Sequence, residues 1–315
     1  MPSLRSKIVI GLIRNRHLLK FQLKPEVVDA DFDVKKFRNG VDQASARMNK
    51  IPADVTVEGL QIGPMYAEWI IPAGARPDQV VMYIHGGGFI SGTCHTHRMH
   101  VIKFARLCGM KMLLFDYRLA PEHPFPAAAE DCLTAYAWLL QEGYESANIM
   151  MMGESAGGTL TLSTLIALRD QGIELPKAAV SISPVTDLTC QADSFRANAK
   201  KDIAPMNSWT VWTNFYIAGN DPHHPWLSPL MADLTGLPPI MIQVGTHEIH
   251  LDDARNFATK AQQSGVEVTL RIWGGMVHAF PLLAPLFAEA QQAMDEIGTY
   301  VKDHLQQGGA DQAGS

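Results

Sequence analysis

From residue 80 onward the chain alternates short apolar runs with stretches whose apolar residues recur at helical spacing. Runs at 80–84, 111–116, 149–152, 178–182, 240–244 and 268–272 predict strands. Stretches at 99–107, 128–140, 156–168, 252–263 and 286–304 predict helices, the third of them closed by Gly172. Strands that are apolar throughout and separated by helices imply a parallel sheet covered on both faces, so the expected fold class is α/β. An earlier pair, Val55-Thr56-Val57 and Ala67-Glu68-Trp69-Ile70, alternates as a half-buried antiparallel edge should.

Two regions break the rhythm, residues 1–50 and 187–235. The second holds Trp209, Trp212, Phe215, Tyr216 and Trp226. An aromatic-rich insertion between two sheet strands predicts a cap over the strand ends, where α/β sheets bind ligands. Phe89, Met206, Trp209, Phe215 and Tyr216 are candidate walls of a substrate pocket, although such aromatics equally serve to bury a cap against the body. The expected division is N-terminal cap helices at 1–50, core at 51–186 and 236–305, a cap insertion at 187–235, and a flexible polar tail at 306–315.

Ile8, Leu12, Leu19 and Leu23 fall on one face of a helix, and Arg5, Lys7, Arg14, Arg16, Lys20 and Lys24 make that stretch basic. The reading favoured here is a surface helix packed on the body or over its active site. The rival is a membrane-surface anchor through residues 5–24. The apolar run at 8–13 is shorter than a secretory core or a bilayer span, which leads to the expectation of a cytoplasmic protein.

Composition narrows the class of partner. With 315 residues the chain can bury roughly three-quarters of its unfolded surface, and 47% hydrophobic with 18% charged residues excludes disordered, collagen-like and polytopic membrane chains. A net charge of -6 argues against nucleic acid. Cys94, Cys108, Cys132 and Cys190 form no C-x-x-C pair and read as reduced thiols.

The candidate chemistry starts at Gly153-Glu154-Ser155-Ala156-Gly157, followed by Gly158. A predicted strand feeds this G-x-S-x-G pattern and a predicted helix leaves it. A sharp strand-to-helix turn presents the serine above the sheet edge, provided the residues two positions away are small. His85-Gly86-Gly87-Gly88-Phe89 follows another strand, and its glycines can aim backbone N–H groups at a developing alkoxide. The P-loop and Rossmann alternatives lack their required residues. Cys94, His95, His97 and His100 match no zinc spacing and read as a polar loop.

These motifs, together with Asp116-Tyr-Arg-Leu-Ala-Pro-Glu-His-Pro-Phe-Pro-Ala127, resemble the hormone-sensitive-lipase family of α/β hydrolases, in its bacterial carboxylesterase branch, over about residues 55–305. The resemblance implies the α/β-hydrolase fold with a helical cap, and an oxyanion hole from Gly87, Gly88 and Ala156. It makes the 117–127 segment a brace, with Arg118, Glu122 and His123 read as buried polar scaffolding. It also implies a homodimer through the last strand and its neighbouring helix.

A serine needs a base, and in this fold the order along the chain is serine, acid, histidine. His278, just after the last predicted strand, resembles the family's base; His247 and His250 are positional rivals. Most of the family reads D-P-L-x-D in the acid loop. Counting back from Asp252, the first aspartate falls here on Glu248, a departure from that pattern. Glu248 is the preferred acid and Asp252 the fallback. The expected function is a serine carboxylesterase of short- to medium-chain esters, with no metal or cofactor. Lactone hydrolysis is the alternative, and a non-catalytic receptor-like hydrolase a further one.

Overall fold

The structure, a computed structural model, describes residues 2–19, 27–29, 31–46 and 50–306. Eight strands form one sheet: β1 (Val55–Ile62), β2 (Met65–Pro72), β3 (Arg76–Ile84), β4 (Met110–Phe115), β5 (Ile149–Glu154), β6 (Ala178–Ile182), β7 (Ile240–Gly245) and β8 (Val268–Trp273). Their order is β1-β2-β4-β3-β5-β6-β7-β8. The expected hairpin forms the antiparallel edge, with β2 also antiparallel to β4, and from β4 to β8 every pair is parallel.

Strand alternation sorts the core into two layers. Val80, Met82 and Ile84 join the cluster covered by α5 (Ala127–Gln141), α6 (Ala156–Asp170) and α9 (Leu251–Gln263). Val81 and Tyr83 join the one covered by α4 (Cys94–Cys108) and α10 (Ala288–Gln306). Strands buried on both sides explain the unbroken apolar runs in the sequence. Register then sets the site. Ile84 lies opposite Gly153, Glu154 opposite Ile182, and Gly245 opposite Trp273. The loops leaving β3, β5, β6, β7 and β8 therefore emerge together along one edge of the sheet.

The two irregular segments also meet. The N-terminal one holds α1 (Leu4–Arg14), α2 (Arg16–Leu19) and α3 (Val34–Ala46); the insertion holds α7 (Asp193–Ala197) and α8 (Ser208–Ile217). Val27 bridges Met206, and the rings of Phe32 and Phe37 lie 6.2 and 5.5 Å from Trp212. The N-terminal helix departs from its expected face. Ser6 and Ile10 are the buried residues, tied down by hydrogen bonds from Ser3 and Ser6 to Glu289, whereas Ile8 and Leu12 are more than half exposed. The helix also breaks at Asn15, whose side chain bonds the Gly11 carbonyl, so no single face runs on from Ile8. Lys20, Leu23, Lys24 and residues 307–315 of the predicted tail lie outside the described residues. No helix among the described residues is long and apolar enough to cross a membrane.

Two smaller expectations are overturned. Cys94, His95, His97 and His100 sit in the first turns of α4, not in a loop, because Thr93 and Thr96 form a reciprocal capping box that starts the helix there. Arg118, Glu122 and His123 are exposed, not buried. Arg118 reaches in from the surface to the buried Asp131 at 2.8 Å, and Glu122 pairs with Arg38 at 2.8 Å at the surface, where long charged side chains keep their heads in water. In that segment Tyr117 is the residue that reaches the site: its hydroxyl donates to the His85 carbonyl at 2.8 Å, and its ring stacks 4.2 Å from the His85 ring.

Candidate active site

Ser155 stands between β5 and α6 with φ 59° and ψ -124°, a strained conformation for a residue with a side chain. Its flanks show why glycine is required. A Cβ on Gly153 would come within 2.3 Å of the Gly157 carbonyl oxygen, and one on Gly157 within 2.0 Å of the Ile84 carbonyl oxygen. The turn closes only because both lack one. The serine N–H is held by the Ile182 carbonyl at 2.8 Å, which fixes the turn against β6.

His278 arrives from the loop after β8. Its Nε2 lies 2.8 Å from Ser155 Oγ, so a neutral imidazole accepts the serine proton there and carries its own on Nδ1. Nδ1 faces Glu248 Oε2 at 3.4 Å, a long contact that a few tenths of an ångström would close. Glu248 is fully buried; its Oε1 accepts from Ser183 Oγ at 2.9 Å and from the Gly245 N–H at 2.6 Å. Ser183 in turn accepts the Ala279 N–H at 3.0 Å, joining the acid to the histidine loop. Burial pushes the Glu248 carboxyl above its usual range, with His278 pulling the other way. For His278, burial disfavours the cation, but Glu248 first, then Asp202 and Glu154, outweigh it and raise the pKa.

The structure thus brings Ser155, His278 and Glu248 into one line. Asp252, the fallback acid, turns elsewhere: its Oδ2 accepts the Ser194 N–H at 2.9 Å. Of the rival histidines, His250 is buried behind His278, ring centroids 5.1 Å apart, and burial drives its pKa well down. His247 takes the Met276 carbonyl through its backbone N–H.

The glycine loop lies beside the serine. Gly87 and Gly88 take φ 118° and 65°, and a Cβ on Gly88 would strike Trp212 at 2.5 Å. Gly86 is not a free donor, since its N–H is held by Glu154 Oε1 at 2.7 Å. His97 Nε2 reaches the same oxygen at 3.2 Å. Among the described residues no loop or turn hydrogen bond occupies the N–H groups of Gly87, Gly88 or Ala156, and Ala156 opens α6, where helical N–H groups have no intrahelical acceptor.

The five candidate pocket residues separate. Phe89 and Tyr216 stack 4.1 Å apart inside the core, and Phe215 packs against that core. Met206 is at the surface beside Val27. Trp209 alone among them lies against the histidine, its ring 5.7 Å from His278 and 4.3 Å from His250. Behind it a cavity of about 210 Å³ is lined by Met206, Ser208, Trp209, Phe195 and Ile249. Asp202 and Glu154 were not singled out by the sequence: Asp202 lies in no motif, and Glu154 occupies the variable position of the serine motif.

A mostly parallel sheet whose carboxyl edge carries a strained serine, a histidine and a buried carboxylate has the arrangement of a serine hydrolase of the α/β-hydrolase fold. A family model described as "alpha/beta hydrolase fold" matches residues 81–282. An acetyl-hydrolase of Streptomyces hygroscopicus is 35% identical over 304 residues, 96% of this chain and 97% of that protein. An esterase of Acinetobacter venetianus is 36% identical, covering 73% and 77%. The crystal structure of an esterase from the bacterial hormone-sensitive lipase family superposes with TM-score 0.87 at 38% identity, covering 97% of this chain and 99% of that one. The chain belongs to the hormone-sensitive-lipase family of α/β hydrolases.

Proposed function

We propose that the protein is a serine carboxylesterase that hydrolyses short- to medium-chain esters through an acyl-enzyme, with Ser155 as nucleophile, His278 as base and Glu248 as acid. The observation that carries this reading is the 2.8 Å contact from His278 Nε2 to Ser155 Oγ with a buried carboxylate behind Nδ1. Ser155 Oγ attacks the ester carbonyl as its proton passes to Nε2. The imidazolium, steadied by Glu248, returns that proton to the leaving alcohol, and water repeats the sequence on the acyl-enzyme. Gly87, Gly88 and Ala156 supply N–H groups to the oxyanion.

A short acyl group is supported by the relatives, among them the acetyl-hydrolase and an ethyl acetate hydrolase of Pseudomonas putida at 27% identity. The bulk of Trp212 over Gly88 favours the same choice. We assign residues 1–50 and 187–235 to a cap and the remainder to the core. Four free cysteines agree with a reducing, cytoplasmic setting, and β8, which ends the sheet, is the edge through which two copies would pair.

A fluorophosphonate labels Ser155 in a working hydrolase and leaves a pure binding protein unmodified. Rates on 4-nitrophenyl butyrate, a long-chain ester and ε-caprolactone then separate short-chain esterase, lipase and lactonase. No labelling at Ser155 would overturn the reading.

A further inference from the structure

The insertion does more than cover the sheet. Ser194, Asn198 and Asp202 recur every four residues at the start of it, and each is at least 96% buried against the acid loop. Ser194 Oγ donates to the Ile249 carbonyl at 2.6 Å. Asn198 Nδ2 donates to the carbonyls of Glu248 at 2.8 Å and Thr246 at 3.1 Å. Asp202 goes one loop further: Oδ2 accepts the Ile249 N–H at 2.9 Å, while Oδ1 accepts the N–H of His278 at 2.9 Å and of Ile203 at 2.8 Å.

From this bridging we infer that Asp202 is a positioning residue for the hydrolytic reaction, a carboxylate of the insertion that fixes the backbone of the acid loop and of the histidine loop in one relative geometry. The inference rests on the assignment of Ser155, His278 and Glu248 given above. The chemistry needs such a clasp. Glu248 follows β7 and His278 follows β8, and their side chains are 3.4 Å apart, so small drifts of either loop open the contact. A displacement of about 1 Å in a reacting group can cost about 10²-fold in rate. Two backbone N–H groups on one buried carboxylate are directional, charge-assisted bonds that resist that drift. Arg16 adds a tie from the other irregular segment, donating to the Ile203 carbonyl at 2.8 Å. Seating of both segments is thereby coupled to assembly of the site.

The charge of Asp202 also acts on His278. The titratable groups facing that imidazole are Glu248, Asp202, Glu154 and His250; the three carboxylates favour its cation. Removing Asp202 alone takes away one of them, so the acid limb of kcat/KM moves to lower pH. A residue that merely held the fold together would lower the rate without moving the limb.

The test uses the full chain as Asp202→Asn, which keeps the shape but opposes one N–H with its own amide, and as Asp202→Ser, which is smaller and uncharged. With 4-nitrophenyl butyrate the expected result is a tenfold to hundredfold fall in kcat, KM within about threefold, and the acid limb displaced downward. Asn198→Ala, which loosens only the acid loop, should lower kcat while leaving the limb in place. An unmoved limb or an undiminished kcat in either soluble variant overturns the inference. Fluorophosphonate labelling of the wild-type chain keeps the two readings apart: labelled wild type with unaltered variants sinks only Asp202, whereas unlabelled wild type sinks the triad itself.

Discussion

Glu154 Oε1 accepts the N–H of Gly86 at 2.7 Å, so the residue just before the nucleophile holds the first glycine of the neighbouring loop. The next two glycines are the proposed oxyanion donors, and their aim depends on where Gly86 is held. Glu154→Ala leaves that N–H buried without a partner and frees the loop. Loss of one oxyanion donor costs about 10²–10³-fold in kcat, and the same range is expected here, read by steady-state kinetics on 4-nitrophenyl acetate. Glu154→Gln keeps an acceptor for Gly86 and should retain most of the rate.

Ser155→Ala should fold and lose about 10⁶-fold in kcat, with thermal unfolding unchanged within a few degrees. Glu248→Gln should lose up to about 10⁴-fold, since an amide beside Nδ1 cannot stabilise the imidazolium. The engagement of Asp252 with Ser194 removes it as a substitute, so Asp252→Asn should keep turnover within about threefold. Near-wild-type turnover in Glu248→Gln would reverse that assignment.

The pH dependence follows from the charges around His278. The proposed mechanism needs the neutral imidazole, and Glu248, Asp202 and Glu154 together raise the pKa above the ordinary histidine value despite burial. Activity should therefore fall with decreasing pH, and the half-point of kcat/KM should lie above about 6.5. A half-point below that value would mean burial dominates the site. His85 should not add a second step near neutrality, because burial takes its pKa down to about 3.

Most of the core was legible because its strands are buried on both faces and its helices alternate with them; the run at 178–182 reproduces β6 to the residue. The serine turn and the glycine loop were legible because steric need writes glycine into the sequence. Glu248 could be reached by position in its loop, and His278 by the strand it follows. Asp202 could not. Its hydrogen bonds run to the backbone N–H groups of residues 203, 249 and 278, which carry no side-chain signature. The N-terminal helix misled for a related reason. Ser6 is buried because Glu289, far along the chain, receives its hydroxyl, and no local periodicity contains that fact.

Tyr117 offers a test of the brace beneath the loop. Its hydroxyl is the donor to the His85 carbonyl, and its ring covers the His85 imidazole. Tyr117→Phe keeps the stack but strands a buried carbonyl, which costs about 1–3 kcal/mol. Thermal or urea unfolding should register that loss, while kcat changes by less than about tenfold because Glu154 still holds Gly86.

Gly88 lies against the indole of Trp212. At φ 65° a side chain at position 88 is strained, and its Cβ would lie 2.5 Å from Trp212 Cε3 and 3.1 Å from Cδ2. Gly88→Ala must therefore push α8 outward or tilt the loop away from the serine. Overpacking of this kind costs about 1–3 kcal/mol, and the strained φ adds to it. Trimming the indole distinguishes the two sources. In Gly88→Ala with Trp212→Leu the clash is relieved and the backbone strain remains, so stability should recover while kcat stays low. If activity returns with stability, the N–H of residue 88 tolerates the alanine, and the loss in the single variant came from α8 closing on the site.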